Sequence, residues 1–91
     1  MKELLIIFEA ETQELRNQLV DEIKKQGSWA RLTGNSWCIK TDSRNTAEIR
    51  DNLKAVIGDS VARIFVVNMT DSAWASFAIP KEVTSWIKDN S

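Results

Sequence analysis

The chain has 91 residues, 43% hydrophobic and 27% charged, and its twelve basic and thirteen acidic side chains give a net charge of −1. This is the composition of one globular domain, residues 1–91, with neither the basic field of a typical nucleic-acid protein nor an acidic tail. There is no histidine and only one cysteine, Cys38, which excludes histidine catalysis, an intrachain disulfide and cysteine-held zinc or iron–sulfur centres.

The longest apolar run, Leu4 to Phe8, is too short for a membrane span or a signal-peptide core. The expected location is therefore a reducing cytoplasm, with no membrane partner. The run itself reads as a strand covered on both faces. A helix follows from about Thr12 to Gln26, with Leu15, Leu19 and Ile23 on one stripe beside Val20. Thr12 is its N-cap, acidic residues stand at its start and Lys24 and Lys25 at its end, and Gly27 is placed as a left-handed C′ residue.

Residues 28–41 form a hairpin around Gly34-Asn35, read as a type II′ turn. That turn sets Leu32 opposite Trp37, Arg31 opposite Cys38, Ala30 opposite Ile39 and Trp29 opposite Lys40. One hairpin face then carries Ala30, Leu32, Trp37 and Ile39, and the other Trp29, Arg31, Cys38 and Lys40. A second helix spans Thr46 to Ile57, opened by Asn45 and Glu48 in capping-box spacing and closed by Gly58. A strand from Ala62 to Met69 points Phe65, Val67 and Met69 one way and Ile64 and Val66 the other. Residues 70–78, around Trp74-Ala75-Ser76-Phe77, read as a short strand or an ordered loop. Pro80 opens a last helix that turns Val83, Trp86 and Ile87 inward.

The order β-α-β-β-α-β with a C-terminal tail predicts an α+β fold, a ferredoxin-like sandwich of four antiparallel strands under two helices. Two helices cover one face of such a sheet, yet the first and last strands are apolar on both. The C-terminal tail, with its large Trp74, Phe77 and Trp86, is one expected cover for part of the second face, and a second copy of the chain is the other, making a homodimer. Trp29, Ile64, Val66, Trp74 and Phe77 are the interface candidates, while Trp37 and Trp86 are assigned to the core.

Three groups of residues bear on chemistry. Glu9 ends the first strand on the face of Leu5 and Ile7, where a carboxylate can hold a divalent metal such as magnesium, shared between two copies of the chain. Trp29, Arg31 and Lys40 make an aromatic and basic cluster suited to stacking a base of RNA or DNA and neutralising phosphates. Cys38, with no histidine to activate it, reads as a packed thiol. Asp42, Asp59 and Asp71 sit at element ends, where turns and caps use aspartate. No phosphate-cradling glycine motif is present.

Several stretches resemble a small family of bacterial proteins, labelled SinR-like, that is similar in fold to the small CRISPR adaptation nuclease subunit and to VapD-type toxins. They are Leu4-Leu5-Ile6-Ile7-Phe8-Glu9, Gly27-Ser28-Trp29, Ser36-Trp37-Cys38-Ile39-Lys40-Thr41-Asp42, Ala47-Glu48-Ile49-Arg50-Asp51, Ile64-Phe65-Val66-Val67, Trp74-Ala75 and Trp86-Ile87-Lys88. The resemblance implies a ferredoxin-like homodimer. In the nuclease relatives the first strand ends in Tyr-Asp and the aspartate binds metal at the dimer axis; the matching positions here are Phe8 and Glu9. Two functions follow as expectations: a magnesium-dependent endoribonuclease working through Glu9, or a non-catalytic dimeric binding or regulatory module.

Overall fold

The structure, a computed structural model, describes residues 1–89. Its elements run β1 (Lys2–Ala10), α1 (Gln13–Lys24), β2 (Ser28–Thr33), β3 (Ser36–Thr41), α2 (Thr46–Ile57), β4 (Ala62–Asn68) and α3 (Lys81–Asp89). The fold is α+β: a four-stranded antiparallel sheet in the order β2-β3-β1-β4, with three helices. Each of the first two helices carries the chain past one strand, so β3 lies between β1 and β2, and β1 between β3 and β4.

The core forms where α1 and α2 meet one sheet face. Leu15, Leu19 and Ile23 of α1 and Ile49 and Leu53 of α2 pack on Leu4, Ile6 and Phe8 of β1 and Trp37 and Ile39 of β3. The helix starts are read correctly from local signals. The Thr12 side chain accepts from the Leu15 amide, and Asn45 and Glu48 complete a capping box. At the other end of α2, Gly58 takes a φ of +56°, a backbone state that side chains resist.

Gly27 is a correction. It has no positive φ, and the helix is closed instead by Lys25, whose amide bonds the Glu22 and Ile23 carbonyls. Gly27 is needed for space, because a Cβ there would run into the Lys40 carbonyl oxygen.

The hairpin register is a second correction. Thr33 still faces Ser36, but an irregularity at Leu32 shifts every pair beyond it, so Arg31 faces Trp37, Ala30 faces Cys38, Trp29 faces Ile39 and Ser28 faces Lys40. Gly34 has no positive φ, so a type II′ turn is not formed. An extra residue in one strand flips everything past it to the opposite sheet face. Trp29 and Arg31 therefore turn to the helix side, and Ala30 to the other.

On β4, Ile64 stands opposite Phe8 and Val66 opposite Ile6. Both pack against the helix-side core and so leave the interface group to which the sequence assigned them. Residues 70–78 form no strand; they are an exposed segment that passes through positive φ at Asp71 and Ala78. Pro80 precedes α3 as its cap, with its carbonyl accepting from the Val83 and Thr84 amides. Ile87 is buried and Val83 and Trp86 half-buried.

Candidate functional site

The second sheet face distinguishes this molecule, and strand alternation fixes who occupies it. β1 contributes Glu3, Leu5, Ile7 and Glu9, and β4 contributes Val67, Phe65 and Arg63, paired as Leu5 with Val67, Ile7 with Phe65 and Glu9 with Arg63. β3 adds Ser36, Cys38 and Lys40, and β2 adds Ala30.

α3 and the segment before it cover the half of this face that belongs to β2 and β3. The tie is electrostatic as well as apolar. Lys40 Nζ donates to the carbonyl of Trp86 at 2.7 Å and to that of Ile87 at 3.3 Å, and lies 4.2 Å from the centre of the Trp86 ring. A cation at the last turn complements the negative end of the helix. Glu3, directly opposite on β1, is the counter-charge at 3.7 Å, and both residues are at least 96% buried. Beside them Cys38 is pushed up to about 11 by burial first and by the Glu3 carboxylate second, against the opposing pull of Lys40. Its thiol lies 4.0 Å from the Met69 sulfur. An apolar cleft of about 360 Å³ remains between sheet and segment, lined among others by Leu5, Leu32, Met69, Trp74 and Ile87.

The half belonging to β1 and β4 is open. Phe65 is 63% exposed and its cross-strand neighbour Ile7 42% exposed. Glu9 and Arg63 close the end of this apolar stripe; both are exposed, and among the described residues neither makes an ion pair within 4.0 Å. Within one chain these residues do not fit a magnesium ion, which takes oxygen ligands in a near-octahedral set. Glu9 is a single carboxylate with a guanidinium-bearing residue as its cross-strand partner, and among the described residues no three acidic or cysteine side chains gather.

The three nucleic-acid candidates are not brought together. Trp29, 43% exposed, and Arg31 lie on the helix side, and Lys40 is buried on the opposite face. Trp29 instead meets Trp37 at 5.4 Å and Lys24, whose ammonium sits 4.7 Å from the Trp29 ring centre; Arg31 reaches the Trp37 ring at 5.8 Å. Of the interface candidates, Trp74 is partly exposed beside the cleft with the Lys88 ammonium 6.0 Å from its ring, and Phe77 is 93% exposed. Sequence reading missed Arg63. Its signal was the alternation of β4, which needed only the register with Glu9 to become visible.

Compared with known proteins, the chain matches no family model and none of the curated proteins.

Proposed function

We propose that this chain is a ferredoxin-like, non-catalytic homodimeric interaction module that works through the open β1–β4 half of its sheet. One observation carries the reading: Phe65 and Ile7 stand side by side, 63% and 42% exposed, on a sheet face whose other half is covered by α3. A sheet leaves one face to water without penalty when that face is polar; contiguous exposed apolar side chains mark an interaction surface. The sheet order β2-β3-β1-β4 supports the ferredoxin-like assignment. A reducing cytoplasm suits the lone buried thiol of Cys38.

A magnesium-dependent endoribonuclease working through Glu9 is the less supported reading. Phe8-Glu9 departs from the Tyr-Asp of the nuclease relatives, and Arg63 opposes Glu9 across the strands. RNA incubated with the protein, with and without magnesium, should stay intact.

Light scattering at micromolar concentration tests the main reading. The wild-type chain should run at about twice its 10.3 kDa mass, and Phe65→Asp should run as a monomer with unchanged circular dichroism. A wild-type chain that stays monomeric up to about 100 μM, which excludes a dimer held by more than about 5.5 kcal/mol, overturns the proposal.

A further inference from the structure

The pairing of Glu9 with Arg63 at the end of an apolar stripe has a geometry that reproduces itself under two-fold rotation. Each residue of the open half is directly opposite its partner in register: Leu5 with Val67, Ile7 with Phe65, Glu9 with Arg63. Consider an axis in the interface, parallel to the strands and midway between β1 and β4. Rotation about it lays each copy's β1 over the other copy's β4. Because cross-strand partners share one height along that axis, each in-plane pair becomes a reciprocal contact between copies. Ile7 then meets the second copy's Phe65, and Glu9 meets Arg63, each twice.

Two further features select this axis. First, α3 sits over β2 and β3, where its Ile87 is buried and Lys40 holds its carbonyls. Strands lie about 4.8 Å apart and facing sheets about 10 Å apart. A helix over β2 and β3 is therefore carried outside the second copy's β4 edge, where nothing of the sheet stands in its way. Second, an axis in the same plane but perpendicular to the strands would lay Glu9 over the Glu3 end of β1. That end is already occupied by α3 and by the buried Glu3–Lys40 pair, and the acidic residues would oppose each other.

We infer that the second copy docks about an axis parallel to β1 and β4, so that Glu9 of each copy pairs with Arg63 of the other across the ends of a shared Ile7–Phe65 stripe. The inference rests on the homodimer reading above and adds its orientation. The charges set register and exclude other arrangements more than they add affinity, while the apolar stripe supplies the burial.

Charge reversal with mixing tests it. Glu9→Arg alone and Arg63→Glu alone each turn both reciprocal pairs into like charges, and the dimer dissociation constant should rise about tenfold or more. An equimolar mixture of the two variants should then form a heterodimer at close to the wild-type constant, because each interface pair is again opposite in charge. Sedimentation equilibrium, with one variant carrying a fluorophore, reads all three constants. A wild-type monomer overturns this inference together with the homodimer reading. A wild-type dimer that both reversals leave unchanged overturns the orientation and leaves the dimer standing. Weakened variants that the mixture fails to rescue also overturn the orientation, since an attraction confined to one chain gains nothing from mixing.

Discussion

The ammonium group of Lys40, one residue from the end of β3, lies 2.7 Å from the carbonyl oxygen of Trp86, forty-six residues further along the chain. One buried side chain thus answers the carboxylate of Glu3 and the open end of α3 together. Removing one partner of a buried pair leaves the other charge uncompensated and costs about 3–5 kcal/mol. Lys40→Met should therefore lower unfolding free energy by about that much in urea titration. Adding Glu3→Leu to Lys40→Met should recover a large part of the loss. A double variant as unstable as the sum of the singles would show that the two groups act independently.

Trp37 is nearly fully buried in the helix-side core, and among the described residues its indole nitrogen has no hydrogen-bond partner. Trp37→Ala should cost about 3–5 kcal/mol through the cavity it leaves. Trp37→Phe should cost much less, because the lost ring area is offset by removing an unsatisfied donor. Thermal or denaturant melts of the pair separate the two effects.

Gly27 closes the approach of the α1–β2 connection to β3. Gly27→Ala should destabilise by about 1–3 kcal/mol through overpacking against the Lys40 carbonyl. The neighbouring exposed change Ser28→Ala should do almost nothing. If Gly27→Ala melts like the parent, the connection stands further from β3 than described.

Burial pushes the Cys38 thiol from an ordinary value of 9.0 up to about 11. At pH 8 the folded protein should react with iodoacetamide at least about 100-fold more slowly than the urea-unfolded chain, because far less thiolate is present. The sign of the linked stability follows. The folded state holds its proton more tightly, so this group's contribution is complete below about pH 9 and is lost as pH rises towards about 11. Cys38→Ala should flatten that alkaline part of the stability profile.

What could be read from the sequence was whatever local chemistry decides. Asn45, Glu48 and Gly58 fix α2 to the residue at both ends, because caps act within a turn of the helix. The spacing of Leu15, Leu19 and Ile23 names the inward face of α1 for the same reason. The hairpin register escaped because a non-local demand decides it. The face under α3 takes the small Ala30, while the helix side has room at the sheet edge for Trp29 and Arg31, with Lys24 arching over the indole. One irregularity at Leu32 satisfies both, and no pattern of apolar residues announces it. The same holds for Lys40. On an isolated strand it is a surface cation; only the return of α3 makes it a buried one. Glu9 was found on its own face but without Arg63, which alters what its carboxylate can hold.

The tie between Lys40 and α3 gives the molecule two tiers of persistence. The sheet with α1 and α2 closes around a continuous apolar core, so its amides should exchange with solvent only through global opening. α3 arrives by an exposed segment, residues 70–78, that makes no strand. Among the described residues its ties to the sheet include the Lys40 ammonium and the buried side chain of Ile87, and it should open at lower free energy than the rest. Exchange of the α3 amides should then run ahead of β1 by orders of magnitude. Whatever grips the β1–β4 half would meet, just beyond its border, a helix able to come and go without unfolding the protein that carries it.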